Sequence, residues 1–481
     1  MKLLGLRICE HDSNISYFNG DKVFYLKTER KFQIKHHGIN DLYQWENIIF
    51  EQWGIKSKDL DEIAIVFDPW HHNLSCREDS FFPSKKIEFP ANCKVTRVNH
   101  HYAHHLSCWP LIKNPSSYNG ICIDGFGDYD KSWTVFIDKK IKEEGSRMKN
   151  GSVGLAMDYL GEIFNIQGHG LDSAGKIMSL QSFGKLDYNF LNYLKKYSIK
   201  DISFIVNPKY YCDRWDKKLD WLKTVHEYMG AVILNYLLSF FKKEEKFIYT
   251  GGVALNVCWN TRIKTIFNNI IIPPHTNDEG LSLGALKFLR LKHNLPHFTI
   301  DNFPFCQSDE SPSDLPSINL IKKVAELIKN QKIIGWYQGH GEIGPRALGH
   351  RSILADPRDY EMKNKINKIK KREEFRPFGC STIDSEFNKS EFMLYAQSID
   401  IKKYPAVSHV DGTSRHQTVE TTGSFKNILY EFKNLTQCGT LLNTSLNVNG
   451  KPLASYKKDA VELLQNSSLD GLVYGNELFL K

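Results

Sequence analysis

Two stretches of the 481-residue chain hold residue types at spacings that can do chemistry. The first, Asn99-His100-His101-Tyr102-Ala103-His104-His105, places four histidines within six residues. Side chains four positions apart leave a helix on one face, so the run offers two imidazoles to one metal ion. Two registers satisfy that spacing, His100 with His104 or His101 with His105. The second stretch runs from Ile334 to Phe378 and holds, between Arg346 and Arg376, ten Lys or Arg against five Asp or Glu. Gly339, Gly341, Gly344, Pro345 and Gly349 make a tight entry loop in which backbone N–H groups can approach an oxyanion. The arginines add planar, paired donors to phosphate or carboxylate. Lys363, Lys365, Lys368 and Lys371 also have a plainer reading, since Met362, Ile366 and Ile369 fall at helical spacing and leave these lysines on the wet side of an amphipathic helix. Arg346 and Arg351 differ, being embedded among Gly, Pro, Ala and Leu beside Ser352.

The elements that must position these groups follow from the pattern around them. Residues 3–9 and 22–28 read as strands with Asn19-Gly20 as a hairpin signal, and His11-Asp12-Ser13-Asn14 sits between them. A similar unit recurs at 120–137, where GICI enters an acidic turn (Asp124-Gly125-Phe126-Gly127-Asp128) and a second strand, SWTVFI. Two such units suggest an internally duplicated α/β domain of the actin and sugar-kinase type, two ordinary hairpins being the alternative. In KFIYTGGVALN (246–256) an apolar strand runs into Gly251-Gly252 and a helix start, where a nucleotide can lie on the backbone at the positive end of the helix. Residues 301–318 are rich in Pro, Ser and Asp and read as a linker between a first domain, 1–300, and a second, 319–481.

Composition is that of an ordinary globular chain, 41% apolar and 25% charged, with a formal charge of +8 that mildly favours anionic ligands but is too evenly spread to argue for nucleic acid. The ten cysteines include no CxxC pair, so neither a zinc ribbon nor a secreted disulfide framework is indicated. The opening MKLLGLRICEHD has too short an apolar run for a signal peptide, and the longest apolar stretch, Tyr228 to Phe241, is broken by Asn235 and Ser239. A cytoplasmic protein without membrane contact is expected, with homo-oligomers allowed.

GPRALGHRSILADPR (344–358), Asn367, IKKREEFRPF (369–378), HVDGTSRHQTV (409–419) and LLNTSLNVNGKPL (441–453) together resemble the signature of the O-carbamoyltransferases of nodulation-factor and antibiotic biosynthesis, in the expected order from His11 to about Leu472. The resemblance implies an actin-like (ASKHA, Kae1-like) first domain followed by a smaller YrdC-like α/β domain. It implies that carbamoyl phosphate and Mg-ATP give carbamoyl-adenylate in the second domain, and that the carbamoyl group then passes to a hydroxyl in the first. The family pattern HHxxH selects His100 and His104, with His105 standing where the family has a small residue, and adds Asp124 and its counterpart Asp278 as metal ligands. Iron(II) is the family's metal; zinc or manganese suits the same donors. The loop 168–184 resembles the family's EGKVMGLAAYG and implies a nucleotide contact from Lys176 beside Gly251, Gly252 and Asn256, although Ala174 and Ser179 depart from the pattern.

Chemistry assigns the remaining groups. Two polyanions repel and must be screened before they react, a task for Arg346, Arg351, Lys370, Arg376 and Arg415, with Arg372 beside them. Asn443, Ser445 and Asn447 alternate along a strand-like NTSLN and offer hydrogen bonds to carbamoyl or phosphate, unless the segment is a plain turn. An alcohol needs a base, and His11 oriented by Asp12 is the expected one, a histidine capping the hairpin being the alternative. The acceptor is expected to be a sugar, a natural product or a hydroxymethylated nucleotide. A transferase acting in tRNA threonylcarbamoylation shares the first-domain fold but lacks the GPRALGHRS half, and a hydrogenase-maturation carbamoyltransferase would bring CxxC motifs. An actin-like regulator without transfer chemistry would bind ATP and release no pyrophosphate.

Overall fold

In the computed structural model the described residues are 1–39, 43–67, 91–168, 170–207, 214–297 and 299–481. Most of the motif-free stretch 68–92, together with Cys76 and Cys212, lies outside them. The chain divides into two compact units, residues 1–29 with 36–303, and residues 30–35 with 304–481. Among the described residues no helix is long and apolar enough to cross a membrane.

The first unit contains two sheets that repeat one connectivity. Strands β1 (Leu3–Ile8), β2 (Asn14–Phe18), β3 (Val23–Lys27), β4 (Glu62–Phe67) and β5 (Lys94–Arg97) stand in the order β3-β2-β1-β4-β5. The first three form an antiparallel meander, and β4 and β5 add in parallel beside β1. Strands β6 (Gly120–Ile123), β7 (Lys131–Ile137), β8 (Lys140–Ser146) and β9 (Ile248–Thr250) stand in the order β8-β7-β6-β9, again a meander with a parallel strand beside its first member. This is the duplicated, actin-like α/β arrangement. The sequence reading placed two strands in residues 3–28 where the structure has three: HDSN turns β1 into β2, and Asn19-Gly20 turns β2 into β3. Asn14–Phe18 was missed because all five residues are buried, so the alternation that marks a half-exposed strand is absent.

The residues of β1 are buried throughout, and the helix Leu281–Lys292 lies so close to it that a Cβ on residue 5 would stand 2.1 Å from the Ser282 carbonyl oxygen. Gly5 is what allows that approach, which in turn brings the turn before the helix, with Asp278, to the end of β1.

The second unit holds a mixed eight-stranded sheet. In chain order its strands are β10 (Ile334–Tyr337), β11 (Arg351–Ala355), β12 (Gly379–Thr382), β13 (Ala396–Ser398), β14 (Thr413–Thr418), β15 (Thr440–Ser445), β16 (Gly471–Tyr474) and β17 (Glu477–Leu480). In space they run β13-β14-β12-β15-β11-β10-β16-β17, with β12/β14 and β10/β16 parallel. Trp336, Ile353, Leu354, Leu441 and Leu442 belong to its core together with Ile428 and Phe432 of the helix Ser424–Thr436. The helix Glu361–Lys370 buries Met362, Ile366 and Ile369 and leaves Lys365 and Lys368 exposed, the amphipathic pattern read from the sequence.

Candidate functional site

In the first unit the helix His100–Leu106 is started by Asn99, whose Oδ1 accepts the Tyr102 N–H at 3.0 Å. Asp128 Oδ2 accepts the His100 N–H at 2.7 Å and fixes the first turn. His100 and His104 then share a face: their Nε2 atoms are 3.2 Å apart and stand 3.2 and 3.0 Å from Asp124 Oδ2. Asp278 Oδ1 lies 3.5 and 3.3 Å from the same two nitrogens. His101 and His105 take the other register. His101 Nδ1 meets Thr134 Oγ1 at 2.7 Å, and His105 Nε2 meets the Pro115 carbonyl at 2.9 Å. Burial pushes their pKa values down to about 3 and about 4, which leaves them neutral and structural.

The two carboxylates are held from behind. Asp124 follows β6, and its Oδ1 accepts the N–H groups of Gly125 at 2.8 Å and Gly252 at 3.0 Å. Asp278 Oδ2 pairs with the buried Arg7 at 2.9 Å, and the Asp278 carbonyl accepts from Asn14 Nδ2 at 2.9 Å. Burial opposes ionisation of both acids. Hydrogen bonds to His100 and His104 at Asp124, and the charges of His100 and Arg7 at Asp278, outweigh it and hold both well below the usual carboxylate range. His100 is raised to about 9, burial being overcome by the charge of Asp278 and the hydrogen bond to Asp124.

One ligand atom from each of His100, His104, Asp124 and Asp278 lies within 4.8 Å of the others. Ligand atoms about 2.1 Å from a shared ion stand about 3.0 Å apart in an octahedron and about 3.4 Å apart in a tetrahedron. The observed 3.0–3.5 Å separations fall in that range, so two imidazoles and two carboxylates here have the spacing and chemistry to hold a divalent ion.

His11 is one-third exposed, with Nδ1 3.3 Å from Asp12 Oδ2. Asp12 serves more than one partner: His36 Nδ1 at 3.1 Å and Lys27 Nζ at 3.4 Å share its carboxylate. His36 Nε2 also reaches Asp172 at 3.4 Å, while Lys27 reaches Glu29 at 3.2 Å and Glu279 at 2.8 Å. Asp12, Glu29 and His36 are close enough to hold an ion, but the Lys27 ammonium already supplies the positive charge there. Burial lowers the His11 pKa, yet the Asp12 hydrogen bond and the Asp278 charge prevail and raise it.

The residues expected to contact nucleotide in the first unit have partners within the fold. Lys176 is buried and donates to the Gln167 carbonyl, under the loop it was expected to extend from. Asn256 caps the helix Val257–Lys264, accepting from Trp259 N–H at 3.2 Å, and its Nδ2 meets His226 Nε2 at 3.0 Å. Gly251 adopts φ 93° with its Cα against the Ile123 carbonyl, and Gly252 gives its N–H to Asp124. The glycine pair thus positions a carboxylate.

In the second unit the GPRALGHRS loop is shaped by buried Glu342, whose Oε1 accepts the N–H groups of Leu348 and His350 at 2.8 Å and of Arg351 at 3.0 Å. Arg346 is part-buried on that loop, and the adjacent Ala347 carbonyl accepts from Asn443 Nδ2 at 3.2 Å. Arg351, expected to help screen the anions, is engaged within the fold. It is 0% exposed, donates to Asp309 at 3.0 Å and to the carbonyls of Gln338, Glu310 and Ala454, and lies over the Tyr337 ring. Its guanidinium is consumed in holding the loop to the sheet.

Lys370 Nζ donates to the Ser445 carbonyl at 2.6 Å and to Ser445 Oγ at 2.9 Å, with Asn447 Oδ1 a third acceptor. Arg372 lies over Phe378, 3.9 Å from the ring centroid, and donates to Asn367 Oδ1 at 2.8 Å. Arg376 stands 3.5 Å from Glu373, and Arg415 is part-buried on β14. These cations feel one another. Burial and then the charges of Arg372, Arg376 and Lys35 bring Lys370 well below the ordinary lysine value. Burial, Arg376 and Arg415 likewise depress Arg372, and burial with Arg376 brings Arg415 to about 10. Lys35 was not read from the sequence; it belongs to the hexapeptide 30–35 that folds with this unit, and nothing in its local pattern signals that. Arg7 was missed because its partner Asp278 is 271 residues away, and Glu342 because its partners are backbone N–H groups, which leave no side-chain pattern.

Residues 82–286 match the family model described as "Carbamoyltransferase N-terminus", and residues 325–481 match "Carbamoyltransferase C-terminus". The chain is 29% identical over 439 residues to nodulation protein NolO of Bradyrhizobium diazoefficiens, covering 80% of this chain and 79% of that protein. It is 31% identical over 245 residues to a 3'-hydroxymethylcephem-O-carbamoyltransferase of Amycolatopsis lactamdurans, covering 47% of each. Among solved structures, the activator of the 2-hydroxyisocaproyl-CoA dehydratase of Clostridium difficile is similar over 61% of this chain and 97% of that one at 15% identity, with a TM-score of 0.38 that carries no argument.

Proposed function

The chain belongs to the carbamoyltransferase family and is an enzyme, and from that premise we propose an ATP-dependent O-carbamoyltransferase that works in two stages. Carbamoyl phosphate and Mg-ATP are converted to carbamoyl-adenylate in the second unit, whose fold we read as YrdC-like. The carbamoyl group then passes to a hydroxyl of a sugar, a natural product or a hydroxymethylated nucleotide in the first.

The observation that carries the reading is the set Lys35, Lys370, Arg372, Arg376 and Arg415, in which burial first and the neighbouring positive charges second hold Lys370, Arg372 and Arg415 below their ordinary values. A fold keeps like charges together at that cost where a polyanion relieves it. Arg346 joins them as a planar donor from the glycine loop, while Asn443, Ser445 and Asn447 give the hydrogen-bonding floor. In the first unit, His100, His104, Asp124 and Asp278 would hold a divalent ion, iron(II) or zinc or manganese, and such an ion would supply Lewis-acid chemistry for the transfer. Lys176, Gly251, Gly252 and Asn256 remain the nucleotide contacts we assign to the first unit. His11, oriented by Asp12 at 3.3 Å, we read as stabilising the developing charge in place of the base expected from the sequence.

Incubating the purified protein with carbamoyl phosphate and ATP tests the first stage. Release of pyrophosphate that Arg346→Ala abolishes is expected; ATP binding without pyrophosphate release would sink the reading. His11→Asn is expected to keep pyrophosphate release and lose carbamoyl transfer.

A further inference from the structure

Asp158 lies on the helix Val153–Ile163 and belongs to no motif singled out above. The start of that helix is docked on the Asp124 turn. Ser152 Oγ donates to the carbonyls of Asp124 at 3.0 Å and Gly125 at 2.5 Å, and a Cβ on residue 154 would stand 2.6 Å from the Gly125 nitrogen. Asp158, four residues beyond Gly154, leaves the helix on the face that meets this turn, about 6 Å further along the axis. Gly161 packs against Ser173 on the neighbouring helix, whose Oγ donates to Asp158 Oδ1 at 3.4 Å. Among the described residues that long contact is its one hydrogen bond. The charges around the carboxyl are Asp124 from the turn, Glu162 from its own helix and His11 from the end of β1. Burial pushes it up, to about 7, with Asp124 and Glu162 adding to the rise and Ser173 and His11 offsetting part of it.

We propose that Asp158 is a catalytic residue of the transfer step, the group that takes the proton of the acceptor hydroxyl. The inference rests on the two-stage reading above. The hydroxyl O–H bond breaks toward Asp158 Oδ2, the oxygen not engaged by Ser173. The hydroxyl oxygen bonds to the carbamoyl carbon, the bond from that carbon to the adenylate phosphate oxygen breaks, and AMP leaves with the electron pair. Asp158 then returns the proton to solvent, and no oxidant or reductant is involved. An alcohol oxygen must stand about 3 Å from both the carbon it attacks and its base, so the base belongs one small group away from the centre that holds the carbonyl. Asp158 leaves its helix on the face docked on the Asp124 turn and feels the charge of Asp124, and a carboxyl that titrates near neutrality can both take and release the proton.

The test compares wild type, Asp158→Asn and Asp158→Glu with carbamoyl phosphate, ATP and two probes. Ethylene glycol must lose a proton to attack, whereas hydroxylamine attacks through its own nitrogen lone pair. Asp158→Asn is expected to release pyrophosphate at the wild-type rate, to lose about a hundredfold or more in glycol carbamoylation and to keep hydroxyurea formation, with Asp158→Glu recovering part of the glycol activity. Infrared titration of the carboxyl band that Asp158→Asn removes should give a midpoint near 7. Equal loss with both probes, unchanged glycol activity, a wild type that makes pyrophosphate but carbamoylates neither probe, or a midpoint near the ordinary carboxylate value overturns the inference. A wild type that releases no pyrophosphate sinks the adenylate reading instead, and the infrared midpoint still decides on Asp158.

Discussion

Gly252 donates its backbone N–H to Asp124 Oδ1 at 3.0 Å, so the glycine pair after β9 fixes the carboxylate that faces His100 and His104. The opposing carboxylate, Asp278, is fixed by Arg7 on β1. Each half of the duplicated fold therefore contributes one acid to the centre and one strand that aims it.

A Cβ on residue 252 would stand 2.9 Å from Asp124 Oδ1. Gly252→Ala is expected to displace the carboxylate and weaken divalent metal binding by about 10–100-fold, as loss of a supporting partner does at metal sites. Titration calorimetry with zinc or manganese measures it, and chelated protein should melt as wild type does. Unchanged affinity would mean that Asp124 does not need this amide.

Stability above neutral pH should depend on His36. Burial lowers its pKa, but the hydrogen bonds it donates to Asp12 and Asp172 raise it to about 9. The folded value exceeds the unfolded one of about 6.5, so the stabilisation is complete below about pH 6.5 and fades as pH climbs through 9. It amounts to about 3 kcal/mol at most, from the size of the shift. Urea unfolding of His36→Gln should show a flatter dependence on pH across that window than wild type; parallel curves would count against the assignment.

Filling the cation site should draw protons from solution. Lys370 and Arg415 titrate below their ordinary values because burial and neighbouring cations disfavour their charge, and a bound polyanion removes that penalty. ATP binding near pH 9 is therefore expected to take up protons, seen as a dependence of the calorimetric heat on buffer ionisation, and Lys370→Met should reduce it. A heat independent of buffer would place the nucleotide elsewhere.

Arg351 is a stability residue. Asp309 is 1% exposed at its side chain, so Arg351→Met leaves a buried carboxylate without its partner, at a cost of about 3–5 kcal/mol in unfolding free energy. Asp309→Asn in the same chain should recover part of the loss. A double variant no more stable than the single one would show that the carbonyl hydrogen bonds, and not the ion pair, carry the effect.

Much of the first unit was legible because its signals are local. Strand, acidic turn and strand recur at both ends of the duplication, and four histidines in six residues single out the helix that carries His100 and His104. The period alone left the register open, since His100/His104 and His101/His105 satisfy it equally. Packing separates them: Thr134 and Pro115 occupy His101 and His105. The Asp309 pairing of Arg351 was not legible because an arginine in a glycine-rich segment suits an anion, while the acid that pairs with it lies 42 residues away. Asp158 and Lys35 stayed hidden because one sits mid-helix without a motif and the other follows a hairpin.

Residues 30–35 fold with the second unit although the chain before and after them folds with the first. Gln33 donates to the Leu453 carbonyl at 3.2 Å, and the Lys31 carbonyl accepts from Tyr456 at 3.2 Å. Truncation after residue 303 therefore cannot split the protein cleanly into halves: the C-terminal fragment would be born without the peptide that carries Lys35, and the N-terminal fragment would display that peptide with its hydrogen bonds unmade. Anyone wishing to express the second unit by itself would have to graft RKFQIK back, as an added peptide or through a circular rearrangement of the open reading frame.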